Sequence, residues 1–370
     1  MKNKINFAEP DIGNKEKKYL NKAFDSKWIA KGAYVNLLEK KLSKLMNTKY
    51  SLTINNGTNA FLLILLSLKI KKGDEIIVPS FCYVSPIHMI KLMGATPVVA
   101  DVEQNTYQVD PKNIIKKITK KTKAILMIHN FGGICDIEKI ENIARKRKLF
   151  LIEDISETLL SKFKNKYVGT KSSNDIKKIS FSSLHATKTL TTGEGGFITL
   201  NNKIDYIKLM QIRDHGIKDS SRYFYDKIGG NFRLSNLLAA IGCAQLTKVS
   251  LIRRKKIFLN NFYNTNFKNN KNLILQNEEK NSELVKWGFP VQFRTKSKKN
   301  LVLKKLNKSS TLARPSFLSL DQMKHLKLNK NTKQDFKNSK FLQDRVLILP
   351  MHTKLTINNL KYICKIVNSV

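Results

Sequence analysis

From residue 50 to residue 200 the chain alternates short apolar runs with longer runs of helical spacing, and this alternation narrows the possible folds more than any other feature. Strand-like segments fall at 50–54, 74–79, 96–100, 124–129, 149–153, 179–182 and 197–200, with helix-like segments at 59–68, 84–93, 111–118 and 137–147. Strand and helix taking turns through short connections predict an α/β fold, a mostly parallel central sheet flanked by helices. In such sheets ligands bind outside the carboxyl ends of the strands. Polar clusters stand at those ends: Asn55-Asn56-Gly57-Thr58, Ser80-Phe81-Cys82-Tyr83, His129-Asn130 and Asp154.

A chain of 370 residues with 41% apolar content is too long for one small core. Two parts are expected: a large one over 1–250, whose segment 1–35 can pack across to the other, and a smaller α/β one over 251–370. In the latter, 286–294 and 345–349 read as strands and 358–367 as a helix, while 234–249 reads as one helix leading into it. The apolar run from Phe61 ends by Ile70, too short to span a bilayer. The first residues lack the apolar stretch of a secretory signal. Four cysteines, far apart and without a CxxC pair, argue against a disulfide framework and a zinc site. A cytoplasmic protein with no membrane partner is expected.

The net charge of +40 raises the question of nucleic acid. A nucleic-acid footprint is clustered on one face or tail, whereas these lysines are spread along the whole chain. The charge is read as solvated surface, able to steer anionic substrates such as nucleotide sugars.

Chemistry concentrates around Lys188, in the run His185-Ala186-Thr187-Lys188-Thr189-Leu190-Thr191-Thr192-Gly193-Glu194-Gly195-Gly196. A backbone bent by that many glycines usually approaches something closely. A lysine fixed there can form a Schiff base with an aldehyde cofactor, or can be an exposed lysine on an ordinary hairpin. Asn55–Asn59 joins a strand to a helix start, where free N–H groups favour a phosphate; a plain capped turn would look the same. Asp154 ends an apolar strand and can pair with a protonated ring nitrogen or cap a helix. Tyr83 can stack on a flat ring or belong to the core. Glu157 lies one helical turn beyond Asp154 if a helix follows. His129 reads as a satisfied core histidine. A phosphate cradle, a stacking aromatic, an acid for a pyridine nitrogen and a Schiff-base lysine are what pyridoxal phosphate requires, and Gly57-Thr58, Tyr83, Asp154 and Lys188 supply them in order.

At this point the chain resembles the DegT/DnrJ/EryC1/StrS family of nucleotide-sugar aminotransferases, fold-type I enzymes of pyridoxal phosphate. The resemblance runs nearly end to end, through Lys27-Trp28-Ile29-Ala30-Lys31-Gly32, Asn56-Gly57-Thr58-Asn59-Ala60, Gly94-Ala95-Thr96-Pro97-Val98, Glu153-Asp154, the Lys188 run, Arg213-Asp214-His215-Gly216, Gly230-Asn231-Phe232-Arg233 and Ala313-Arg314-Pro315. It implies that Lys188 holds the cofactor and shuttles a proton, while Asp154 pairs with the ring nitrogen. Tyr83 would stack on the ring, and Glu157 would stand near its hydroxyl. Gly57, Thr58 and Ser183 would bind the phosphate, with Asn231 reaching it from the other subunit of a homodimer. Trp28, His185 and Arg314 would contact substrate. The implied reaction moves an amine from L-glutamate to a nucleotide-linked keto-deoxysugar, a 4-keto-6-deoxyhexose first among them, for surface polysaccharide or glycan synthesis. Amination at C3 and dehydration are the alternatives within the family. Some members with His in place of Lys188 dehydrate, so the lysine favours transamination. A non-catalytic basic binding protein stands as the remote alternative.

Overall fold

The computed structural model describes residues 4–170, 176–218, 223–328 and 336–370. After helices α1 (Asn14–Asp25) and α2 (Ala33–Leu45), the predicted alternation appears as β1 (Tyr50–Ile54), α3 (Gly57–Ser67), β2 (Glu75–Pro79), α4 (Ser85–Leu92), β3 (Thr96–Ala100), α5 (Pro111–Lys117), β4 (Thr122–Ile128), α6 (Ile137–Lys146) and β5 (Phe150–Asp154). Two short strands, β6 (Lys162–Phe163) and β7 (Lys166–Tyr167), precede β8 (Lys178–Ser183) and β9 (Gly196–Leu200). The seven-stranded sheet runs β1-β9-β8-β5-β4-β2-β3. Every pairing from β8 to β3 is parallel, and β9 alone runs against both neighbours. Most strand residues are buried, as a sheet covered on both faces requires. Phe61 and Ile64 of α3 with Ile90 of α4 fill one side, and Ile114, Ile140 and Ala144 fill the other.

The chain continues through α7 (Lys203–Arg213), α8 (Asn236–Leu246) and α9 (Val249–Phe267). The single helix expected over 234–249 is therefore two. Thr247 Oγ turns back onto the carbonyl of Ala244 at 2.6 Å, and Lys248 turns its amine to Asp11 and Glu16, each at 2.9 Å. Those contacts end α8 and restart the chain in α9.

A second, antiparallel sheet has the order β10-β12-β14-β13, built from β10 (Leu273–Leu275), β12 (Phe289–Phe293), β13 (Arg314–Pro315) and β14 (Val346–Leu349), while β11 (Ser282–Glu283) joins β6. Helices α9, α10 (Lys296–Lys308) and α12 (Ile357–Val367) cover it through Tyr263, Val302 and Ile363. The strand expected at 286–294 begins only at Phe289. Helix α11 (Lys337–Arg345) has Phe341 and Leu342 as its only apolar residues, so it leaves no periodic signal. Ile5 lies against this second sheet, exchanging backbone hydrogen bonds with Ser310 and Leu312. Among the described residues no helix is long and apolar enough to cross a membrane.

Candidate active site

The parallel strands β2, β4, β5 and β8 end on a cleft of about 610 Å³. Gly57, Thr58, Tyr83, Asp154, Glu157, Ser183, His185, Lys188 and Arg314 all line it, together with Trp287. A second hollow of about 690 Å³ opens at the opposite ends of the strands, near Phe150, Lys177 and Lys208, and holds none of these residues. The chemistry therefore belongs to the smaller space.

Lys188 sits on the loop between β8 and β9. The loop is tied across its base by Leu184 N–H to the carbonyl of Gly195 (2.8 Å) and Thr192 N–H to that of Leu184 (2.9 Å). Gly195 has φ +158°, and a Cβ there would stand 2.2 Å from Thr192 Oγ. A Cβ on Gly196 would stand 2.8 Å from the backbone of Asn56 and Gly57. What the glycines bring close is thus the β1–α3 turn. Topologically this is the hairpin that was one reading of the segment, but its lysine points inward, with a side chain only 16% exposed and Nζ 3.4 Å from Glu157 Oε1.

The turn opposite is capped, and it also leaves free N–H groups at a helix start. Asn56 caps α3 by accepting from Asn59 N–H at 2.8 Å. The first N–H groups of α3, on Gly57 and Thr58, have no carbonyl within the helix to meet and face the cleft. A Cβ on Gly57 would lie 2.9 Å from Cβ of Ser183, so this glycine keeps open a cradle that any side chain would fill. Ser183 N–H donates to Ser156 Oγ at 2.9 Å.

Asp154 ends β5 with one carboxylate oxygen accepting from Ser156 N–H at 2.8 Å. Burial raises its proton affinity, and the charges of Lys188 and His129 offset this only in part. A cationic ring nitrogen would supply the missing counter-charge. Glu157 is raised for the same first reason, burial. It sits on a turn and not on the helix that its spacing suggested, because the chain after β5 folds through reverse turns to β6. Its Oε2 accepts from Phe131 N–H at 2.8 Å. Tyr83 stands at the rim, 64% exposed. His185 lies near Glu194, Nε2 to Oε1 3.6 Å. Arg314 stacks its guanidinium 4.3 Å from the Phe7 ring.

His129 takes the structural role expected of it. It is fully buried, with Nε2 3.1 Å from Glu153 and Nδ1 accepting from Cys135 N–H.

Trp28, expected at the substrate, lies outside this cleft, and so does Asn231, expected to reach the phosphate of the other subunit. Trp28 is 70% exposed and Asn231 is exposed too. Both lie on one outer surface, where Asn236 donates to the carbonyl of Trp28 at 2.6 Å and Asn231 bridges to Asp214. Trp287 was not foreseen. Its indole N–H donates to the carbonyl of Thr187 at 2.8 Å, and its ring centre is 4.6 Å from Lys188 Nζ. It fell inside a stretch read as strand, and nothing local marks it.

A glycine-kept cradle at a helix start, an undercompensated buried acid and a converging lysine fit pyridoxal phosphate: Gly57, Thr58 and Ser183 would hold its phosphate, Asp154 its ring nitrogen and Lys188 its aldehyde.

Known proteins show the family. The model of the DegT/DnrJ/EryC1/StrS aminotransferase family matches residues 10–368. A GDP-perosamine synthase of Escherichia coli O157:H7 is 35% identical over 361 residues, 97% of this chain and 96% of that one. Another, from Vibrio cholerae, is 37% identical over 249 residues, 67% of this chain and 66% of its own. Among solved structures, Helicobacter pylori PseC, an aminotransferase involved in the biosynthesis of pseudoaminic acid, superposes with a TM-score of 0.90 at 26% identity, covering 99% of this chain and 98% of that one. Fold and site together define a pyridoxal-phosphate-dependent aminotransferase. The chain belongs to the DegT/DnrJ/EryC1/StrS aminotransferase family.

Proposed function

We propose that the protein transfers an amino group from L-glutamate to a nucleotide-linked 4-keto-6-deoxyhexose, and that the sugar is carried on guanosine diphosphate. The observation that carries this reading is Lys188, held inward beside Glu157 in the cleft that also contains Asp154 and the Gly57 cradle. The likeness to a GDP-perosamine synthase over almost the whole chain supports the nucleotide and an amino-sugar product. One solved relative, E. coli GDP-4-keto-6-deoxy-D-mannose-3-dehydratase, is 25% identical with a TM-score of 0.88. Lys188 is the reason to favour amination over that chemistry.

When bound, the cofactor supplies an aldehyde that captures amines and a protonated ring that withdraws electrons. The residues of this chain do the rest. Asp154 holds the proton on the ring nitrogen from the end of β5. Lys188 Nζ takes a proton from the reacting carbon of the donor and returns one to the sugar carbon, as a positioned general base and acid. Glu157, 3.4 Å away, accepts from that amine while it is charged. Gly57, Thr58 and Ser183 bind the phosphate, and Tyr83 covers the ring. His185 and Arg314 meet the nucleotide sugar from the rim.

The active unit in this reading is a homodimer. Asn231 and Trp28 lie outside their own cleft on a surface that also exposes Ile29, Phe224 and Ile228, and a second copy seated there would receive both. Residues 1–250 carry the cofactor and 251–370 close the cleft through Trp287 and Arg314.

The test is the visible spectrum of the protein with pyridoxal phosphate, before and after L-glutamate, followed by product analysis with GDP-4-keto-6-deoxymannose. A cofactor band that glutamate abolishes, then a product that has gained nitrogen at C4, is expected. A protein that stays colourless at saturating cofactor would overturn the reading. A product that loses oxygen without gaining nitrogen would move it to dehydration.

A further inference from the structure

Behind the wall of the cleft lies an amine that the mechanism above leaves unused. Lys256, on the inner side of α9, is 4% exposed. Its Nζ donates to the carbonyls of Lys286, at 2.9 Å, and Trp287, at 3.5 Å. Neither partner is a carboxylate, in contrast to neighbouring Lys286, whose amine meets Glu278 at 3.2 Å. The titratable groups that act on Lys256 or respond to it are Lys188 and His352. Burial and the charge of Lys188 bring the amine of Lys256 down to about 7. A neutral amine keeps two N–H groups, the number needed for two carbonyls. Lysines are almost never buried without a counter-charge, because the cost is high, and such groups beside a cleft mark functional positions.

What Lys256 grips is the piece of chain that reaches Lys188. Trp287 N–H donates to the carbonyl of Glu157 at 3.1 Å, its indole N–H to Thr187, and its ring faces Lys188 Nζ. On the other side, a Cβ on Gly132 would stand 2.3 Å from Cα of Lys286, so the segment is pressed against the turn whose Phe131 N–H holds Glu157. The segment is irregular backbone, since β12 begins only at Phe289.

We infer that Lys256 is a positioning residue: by tying down the carbonyls of Lys286 and Trp287 it holds the indole against Thr187 and Lys188, and so fixes the direction of the reactive amine. The inference rests on the reading of Lys188 given above.

The chain has two tryptophans, so a Trp28→Phe parent leaves Trp287 as sole reporter. Lys256→Met in that parent keeps length and removes the N–H groups. In the cofactor-free proteins, the variant should show at least a twofold rise in acrylamide quenching of Trp287 and a red-shifted emission. With cofactor and both substrates, kcat should fall about 10- to 100-fold while KM for glutamate stays within about threefold. The split between kcat and KM separates this from a merely structural role, and the pH dependence of stability reports the buried amine itself. The folded amine of Lys256 titrates near 7, below its ordinary 10.5. Between those values only the unfolded chain holds the proton, so the parent gains stability as pH rises and Lys256→Met lacks that slope. A folded variant with unchanged quenching, or with turnover within twofold of the parent, overturns the inference. If Lys256→Met does not fold, Trp287→Phe, which loses the bond to Thr187, is read by kcat against the same limits. A parent that never takes up cofactor sinks the reading of Lys188 and the positioning role with it, an outcome visible in the spectrum alone and distinct from unchanged quenching in a coloured parent.

Discussion

Glu153 and Asp154 are neighbours at the end of one strand, and they show two uses of the same chemistry. The Glu153 side chain is fully buried between Lys178, at 2.8 Å, and His129, at 3.1 Å, and also accepts from Ser180 Oγ at 2.7 Å. Burial alone would raise its carboxyl, but Lys178 and His129 prevail and bring it down to about 2. Asp154, pointing to the other face, keeps a raised proton affinity because burial is not matched by a full counter-charge. Each carboxylate has a lysine at hand. Lys178 is locked to two glutamates, Glu153 and Glu141, whereas Lys188 has the single, longer contact to Glu157. The strand alternation that buries one cluster presents the other to the cleft. A charge cluster completed by the chain stabilises the fold; one left incomplete awaits a ligand.

The two lysines should separate most sharply. Lys188→Ala is expected to lower turnover on the order of 10⁴-fold with little change in unfolding midpoint. Lys178→Ala should cost about 3–5 kcal/mol of stability, as breaking a buried pair does, with turnover per folded molecule unchanged. Urea unfolding and steady-state kinetics on both variants decide the matter, and similar stability losses would erase the distinction. The carboxylates should differ next. Asp154→Asn should reduce kcat roughly 10²- to 10³-fold, the range for a lost electrostatic partner. Glu153→Gln should instead alter acid stability. The carboxyl of Glu153 is held below its ordinary 4.5, at about 2, so its stabilisation is complete above 4.5 and is lost as pH falls through 2. The parent's stability should decline across that window, and the variant, weaker at pH 7, should decline less. The smallest effect is expected at the cradle. Gly57→Ala adds a methyl 2.9 Å from Cβ of Ser183, a crowding worth about 1–3 kcal/mol. Cofactor titration should then show weaker binding by about tenfold, with the sheet intact.

The sheet was legible because its strands are short β-branched runs closed by polar residues, and those polar residues are the ones in the cleft. Gly57, Asp154 and Lys188 could be named because each follows an apolar run that stops where the strand stops. Trp287 could not. It stands 100 residues from Thr187, and only the irregular segment that leads into β12 brings it there. No helix follows Asp154, the condition on which Glu157 would share its face, for a local reason: Leu160 takes a positive φ of 77° and turns the chain towards β6. Trp28 carries a motif as clear as the rest yet faces outward within its own chain, while Asn231, which the resemblance assigns to the phosphate of another subunit, is exposed too.

The reversed direction of β9 also governs how still the reactive amine can be. A parallel β9 would need a crossover of a dozen or more residues with its own helix, and the lysine would ride on a long excursion. As a hairpin loop, both ends of the Lys188 segment are fixed to adjoining strands, β8 and β9, each paired on both sides within the sheet. Amide protons there should exchange with deuterium only when the central strands open together, not through loop breathing. In the proposed reaction a small amino acid and a large nucleotide sugar enter the same cleft in turn. Because both flanks of its loop are strands of the sheet, the lysine is held by the fold itself while either substrate occupies the cleft.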